Sequence, residues 1–204
     1  MRNAKTVSWV GAAVVVLLVP AVPLASGAPL LNEFHYDNAG TDQDEFLEVV
    51  LTGATAADDV TVTLYNGNGG APYDTYNVGG AFTFHGTLAD GNRYYSLLLP
   101  SNGLQNGSPD GIAVDLSGAA VEFWSYEGTF VALGGPADGS TSVDVGVAEA
   151  SGVPIGSSLQ RIEFGATWIL TEGSSTRGDV NVPEPATLAL LGLGAAGVLI
   201  RRRR

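Results

Sequence analysis

The densest group of chemistry-bearing side chains lies near the start of the chain. Glu33, Asp37, Asn38, Asp42, Asp44, Glu45 and Glu48 place six acids within sixteen residues. Calcium takes six to eight hard oxygen ligands, which an acidic loop can offer, so Asp37, Asp42, Asp44 and Glu45 are candidate calcium ligands. The order is not that of an EF-hand, because Asp42-Gln43-Asp44 runs into Glu45-Phe46-Leu47 without the turn glycine. The competing reading is a loop whose Asn and Asp side chains cap its own backbone.

Glu48 poses a separate problem. With Leu47, Val49 and Leu51 on a core face, Phe46, Glu48 and Val50 share the opposite face. A carboxylate between two apolar residues needs a partner. Arg161 is the expected one, since the chain between its two terminal segments has only Arg93 and Arg177 as other cations. The Glu48–Arg161 pair is read as structural, and breaking it from one side as destabilising.

Catalysis requires a nucleophile, a base and an orienting group, or a metal. The chain has two histidines, His35 at a strand end and His85 beside a glycine turn, and no cysteine. It carries no Gly-x-Ser-x-Gly elbow, no His-Glu-x-x-His and no phosphate-binding glycine loop. No pair of carboxylates is singled out for sugar hydrolysis. The sequence therefore predicts a protein that is not an enzyme, with no catalytic residues and no cofactor beyond the calcium considered above. Tyr65, Tyr73, Tyr76, Tyr94, Tyr95, Trp124, Tyr126 and Trp168 offer either a sugar-stacking platform or ordinary core aromatics. Arg177-Gly178-Asp179 spells an adhesion tripeptide, read here as chance.

The elements that must position these residues are short strands. Val60 to Tyr65 alternates cleanly, with Val60, Val62 and Leu64 against Thr61, Thr63 and Tyr65. Strands are also predicted at Leu30 to Phe34, Phe46 to Leu51, Tyr73 to Val78, Arg93 to Leu99, Gly111 to Asp115, Ala120 to Tyr126, Leu159 to Phe164 and Thr167 to Leu170. Asn66-Gly67-Asn68-Gly69-Gly70 and Asn106 to Gly111 read as loops, and Ser117-Gly118 as a hairpin turn. Leu133 to Gly156 is rich in Gly, Ser and Ala and reads as an extended crossing, with a short strand around Thr141 to Val145. Many short strands at this spacing predict an all-β sandwich or barrel.

Composition narrows the function class. Residues 29–181 hold three arginines and no lysine against twenty acids, a net charge of −17. So acidic a body repels phosphate backbones and argues against nucleic acid as a partner. It suits an extracellular surface, through simple solubility or attraction of divalent cations. Without cysteine, disulfides are excluded.

The two ends read as addresses. Arg2 and Lys5 precede an apolar run from Val7 to Val19, then Pro20, Pro23 and the small residues Ala25-Ser26-Gly27-Ala28. This is the layout of a signal peptide over residues 1–28, with cleavage after Ala28 or Gly27; an uncleaved anchor is the alternative. At the other end Pro183-Glu184-Pro185 precedes an uncharged segment, Ala186 to Ile200, and then Arg201, Arg202, Arg203 and Arg204. As a helix that segment is about 22 Å long, short for a membrane span. The arginines keep its end cytoplasmic and place the body outside. Temporary hold and permanent anchor both remain open.

The order of motif, short span and basic end over residues 182–204 resembles the PEP-CTERM sorting signal. That resemblance implies a Gram-negative bacterium whose exosortase processes the chain near Pro183-Glu184-Pro185, and signal peptidase as the enzyme at the other end. A second resemblance rests on Leu31-Asn32-Glu33-Phe34-His35-Tyr36-Asp37-Asn38, Asp44 to Glu48, Leu104 to Ala113, Phe123 to Gly128, Ser158 to Ile162 and Thr167-Trp168. These are similar to bacterial lamin-tail-like domains. The resemblance spans residues 29–181 and implies an immunoglobulin-like β-sandwich, used in bacteria as an accessory module on secreted nucleases, phosphatases and surface proteins. The bacterial nuclease versions continue into a catalytic domain, whereas the tail follows here.

The expected protein is an exported, non-catalytic surface or extracellular-matrix module that binds an extracellular polysaccharide or an envelope protein. Two alternatives stand beside it: an accessory domain partnering a secreted nuclease or hydrolase, and a purely structural matrix protein.

Overall fold

A computed structural model describes residues 27–181. The signal segment up to Ser26, the motif Pro183, Glu184, Pro185, the apolar segment behind it and Arg201 to Arg204 lie outside the described residues. Among the described residues no helix is long and apolar enough to cross a membrane.

The strands are β1 (Pro29–His35), β2 (Phe46–Leu51), β3 (Val60–Asn66), β4 (Pro72–Asn77), β5 (Thr83–Thr87), β6 (Arg93–Leu98), β7 (Asp110–Leu116), β8 (Ala119–Tyr126), β9 (Val143–Asp144), β10 (Ser158–Arg161) and β11 (Trp168–Thr171). They form a six-stranded sheet in the order β11-β10-β1-β2-β6-β5 and a five-stranded sheet in the order β4-β3-β7-β8-β9. The result is an all-β domain of two sheets, consistent with a sandwich. Its ladders are antiparallel except for the parallel pair β8–β9.

The alternating residues meet where their period of two requires. Leu47, Val49 and Leu51 from β2 face Val60, Val62 and Leu64 from β3 and Ile112 and Val114 from β7 in one buried cluster. Phe34, Tyr36, Tyr126, Trp124 and Trp168 close one end of it. Burying each such side chain contributes about 1.5–3 kcal/mol. A smaller cluster of Tyr65, Ala113, Phe123, Ala132 and Ala137 sits outside the five-stranded sheet. There the Tyr65 hydroxyl donates to Gly134 O at 3.0 Å and accepts from Ala137 N at 3.1 Å, pinning the 130–138 crossing over the sheet.

The Ser117-Gly118 turn joins β7 to β8 with both residues at positive φ, 55° and 87°, the geometry that matches strand twist in two-residue hairpins. Three departures from the predicted strands are instructive. β5 was not predicted, and His85 lies inside it rather than at a turn; the ladder skips His85 between Phe84 and Gly86, a bulge that breaks the alternation. The strand expected over Leu159 to Phe164 stops at Arg161, because Glu163 and Phe164 turn at positive φ. A short helix, α1 (Val78–Ala81), replaces the end of the fourth predicted strand, with Asn77 capping Gly80 N at 3.0 Å.

Candidate functional site

Every residue of β2 is buried, so both of its faces are covered. One face meets the other sheet. The opposite face carries a polar row set by cross-strand register: Gln160 on β10 faces Glu33 on β1, Glu33 faces Glu48 on β2, and Glu48 faces Ser96 on β6. All four are buried. Two carboxylates directly opposite one another repel, and burial adds a desolvation cost unless donors are supplied.

The donors come from the chain that follows β11. Residues 172–181 return across this face as a strap. Thr176 N donates to Glu33 Oε1 at 2.9 Å and the Thr176 hydroxyl lies 2.7 Å from Glu33 Oε2. Gly178 N donates to Glu48 Oε2. From the sheet itself, Ser158 Oγ donates to Glu33 at 2.6 Å and Asn32 Nδ2 to Glu48 at 2.7 Å. Burial, reinforced by Glu33 across the strand pair, pushes the Glu48 carboxyl up to about 8.

Further contacts fix the strap along its length. Gly173 N donates to Ser157 Oγ at 2.9 Å, Ser175 N to Gly156 O at 2.9 Å, and Gln160 Nε2 to Ser174 O at 3.0 Å. The Arg177 guanidinium sits over the Phe46 ring at 5.5 Å. Gly178 has φ +88°, and a Cβ there would lie 2.7 Å from Nδ1 of His85. The last anchor is Asn181, whose Nδ2 donates to Asn32 O at 2.8 Å and to Arg161 O at 2.9 Å. Arg177-Gly178-Asp179 is thus part of the strap, with Gly178 holding a carboxylate.

The Glu48–Arg161 pair does not form. Arg161 Nη1 lies 2.7 Å from Glu122 Oε1 and donates to Leu31 O at 3.1 Å, with its guanidinium over Trp124 at 5.0 Å and Trp168 at 5.9 Å. The reason is the period of two. Gln160 occupies the Glu33–Glu48 row, so its neighbour Arg161 points to the opposite face. Glu122 completes the pair by accepting Leu31 N at 2.8 Å.

The four candidate calcium ligands are not gathered into one group. Glu45 accepts Asn102 N at 2.5 Å and Leu104 N at 2.6 Å, tying down the loop after β6. Asp42 accepts Asn38 N at 3.5 Å and Asn106 Nδ2 at 3.3 Å. Asp44 is exposed at φ 59°. Asp37 lies near Asp42, and burial followed by that neighbouring charge raises its carboxyl. Among the described residues no three acidic or histidine side chains are grouped to hold a metal ion. Glu45 and Asp42 cap loop backbone.

His35 belongs to a second buried polar centre. Its Nδ1 lies 2.7 Å from Glu149 Oε1, and Glu149 Oε2 accepts Tyr36 N at 2.7 Å and Asp37 N at 3.0 Å. Burial opposes charge on His35, but Glu149 outweighs it and the imidazole is raised above its ordinary value. Sequence reasoning missed Glu149; its one signal is that it is the sole acid from Val145 to Gln160. His85 instead bonds Ser96 Oγ at 2.7 Å and is lowered, first by burial and then by Arg177.

Of the aromatic residues, Tyr65, Tyr94, Trp124, Tyr126 and Trp168 are buried, whereas Tyr73, Tyr76 and Tyr95 are half-buried. Exposed Phe84 packs on Tyr95 with ring centres 4.9 Å apart. At one end of the sheets an open polar cleft of about 530 Å³ is lined by Asn66, Asn68, Gln105, Ser108 and Asp110 together with Gly67, Gly107 and Pro109.

Fold and site define a two-sheet all-β domain whose C-terminal segment is strapped across a buried carboxylate row. Residues 181–204 match the family model described as the PEP-CTERM protein-sorting motif, so the strap leads directly into a sorting signal. No curated protein and no solved structure matches the chain.

Proposed function

We propose that the chain is an exported, non-catalytic cell-surface or matrix module whose body, a lamin-tail-like sandwich of immunoglobulin type, contacts an extracellular polymer or an envelope protein. One observation carries this reading: the sorting match begins at Asn181, the residue that pins the end of the folded domain. The cargo that the sorting system handles is therefore the sandwich itself. Exosortase processing near Pro183-Glu184-Pro185 then leaves the body outside the membrane.

The buried polar groups support a non-catalytic role because they are spent on architecture. Glu33 and Glu48 hold the strap, Glu45 a loop, and His35 with Glu149 the 146–156 crossing. The polar cleft around Asn66 and Gln105 is the surface best suited to hydroxyl-rich ligands, with amide donors and acceptors beside an acidic body that repels polyanions. A glycan array probed with the purified full chain tests the reading. Retention on neutral polysaccharides that is lost on Asn68→Ala and Gln105→Ala supports it. Turnover of DNA, phosphate esters or glycans by the same preparation overturns the non-enzyme assignment.

A further inference from the structure

The strap is both the outermost layer of the domain and the last segment before the sorting motif. Docked, it ends at Asn181, and Val182 alone separates that residue from Pro183. Enzymes that cut or transfer a peptide bond bind several residues on each side of it in extended form, through backbone hydrogen bonds. A strap whose amides are committed to Glu33, Glu48 and Ser157 cannot offer them to an enzyme. Freed, residues 172–181 reach up to about 33 Å from the body.

We propose that residues 172–181 form a latch, docked on the Glu33–Glu48 pair, whose undocking governs how fast the adjacent sorting motif is processed. The inference rests on the sorting reading given above and adds a regulatory role for the sheet face.

Three features mark the strap as separable from the sandwich. First, it is held mainly by polar contacts; its one aromatic contact is Arg177 on Phe46, and no apolar strap side chain enters either hydrophobic cluster. Segments held this way open at lower free energy than the core. Secondly, its seat is a pair of facing carboxyls, costly to bury and relieved once water enters. Thirdly, the contact at Thr176 is one donor short. The one hydroxyl hydrogen faces both Glu33 Oε2 and Asn181 Oδ1, each at 2.7 Å. Asn181 cannot turn its amide, because Nδ2 already serves two carbonyls. One of the two oxygens is therefore left without this donor while the strap is docked, a cost that undocking removes.

The test compares the full chain with Gly178→Ala, which drives a methyl group into His85, and Thr176→Val, which removes the shared hydroxyl without adding bulk. Hydrogen exchange on the chain in detergent micelles reads the strap amides, and intact mass reads the ratio of processed to unprocessed chain in the producing cells. In both variants the amides of residues 173–181 are expected to lose protection while β2, β3 and β7 keep theirs, and processing is expected to run about tenfold faster. Should Gly178→Ala fail to fold, Thr176→Val carries the test alone. An open strap with an unchanged or slower processing rate overturns the latch, as does a wild-type strap that is already unprotected. If no chain is processed at all, the sorting reading fails and the latch loses its role with it.

Discussion

Glu33 and Glu48 stand directly opposite each other on β1 and β2, both fully buried. Their burial is sustained by backbone amides of a segment 130 or more residues further along the chain. This relationship makes the sheet face and the C-terminal strap one unit, and it sets how stability must depend on pH.

The Glu48 carboxyl is raised from its ordinary 4.5 to about 8 in the folded protein. The folded state therefore holds a proton that the unfolded chain gives up above pH 4.5. Stability from this group is complete below that pH and is lost as pH rises through about 8, with a total on the order of 5 kcal/mol. Glu33, Arg177, Asp179, Tyr94 and His85 are the charged and titratable groups around it. Urea melts of the wild type from pH 5 to 9 are expected to show falling stability across this window. Glu48→Gln, neutral at every pH, is expected to flatten the dependence while staying within about 1 kcal/mol of wild type at pH 6.

Arg161 should couple to Glu122 and not to Glu48. Arg161→Ala leaves Glu122 as an unpaired, largely buried charge and is expected to cost about 3–5 kcal/mol. In double-mutant cycles the Glu122–Arg161 pair is expected to show a coupling energy above 1 kcal/mol, and Glu48–Arg161 one below about 0.5 kcal/mol.

The two histidines should titrate on opposite sides of 6.5. His35 is raised by Glu149, whereas His85 is lowered by burial and by Arg177. Proton NMR of the imidazole C–H signals separates them. Glu149→Gln is expected to bring His35 down and to expose the 146–156 amides to exchange, since Glu149 also holds Tyr36 N and Asp37 N.

Calcium and EDTA should leave the melting temperature unchanged, because Asp37, Asp42, Asp44 and Glu45 do not converge. Glu45→Ala is nevertheless expected to destabilise by about 1–3 kcal/mol, through the orphaned amides of Asn102 and Leu104. A calcium-dependent rise of several degrees would restore the metal reading.

What the sequence made legible follows from period and turn chemistry. Val60 to Tyr65 alternates because one face of β3 meets the core, and Ser117-Gly118 turns because both residues accept positive φ. β5 escaped notice because Thr83-Phe84-His85-Gly86-Thr87 is mostly exposed and is broken by a bulge at His85. That Glu48 would be buried and need a partner was readable from its apolar neighbours. The identity of that partner was not. Arg161 lies one residue out of phase with the row, and nothing local says that residues 172–181 fold back over it. Glu149 was invisible for a similar reason, since a Gly- and Ala-rich crossing carries no periodicity to give its register.

Export of the sandwich, followed by release or transfer at the motif beside its strap, would leave two defined chain ends. Intact mass of the chain recovered outside the cytoplasmic membrane reads both ends at once. The expected species begins at Pro29, after removal of residues 1–28, and ends within or beside Pro183-Glu184-Pro185. A chain that keeps Met1 and Arg204 and stays in the cytoplasm would overturn both export and processing.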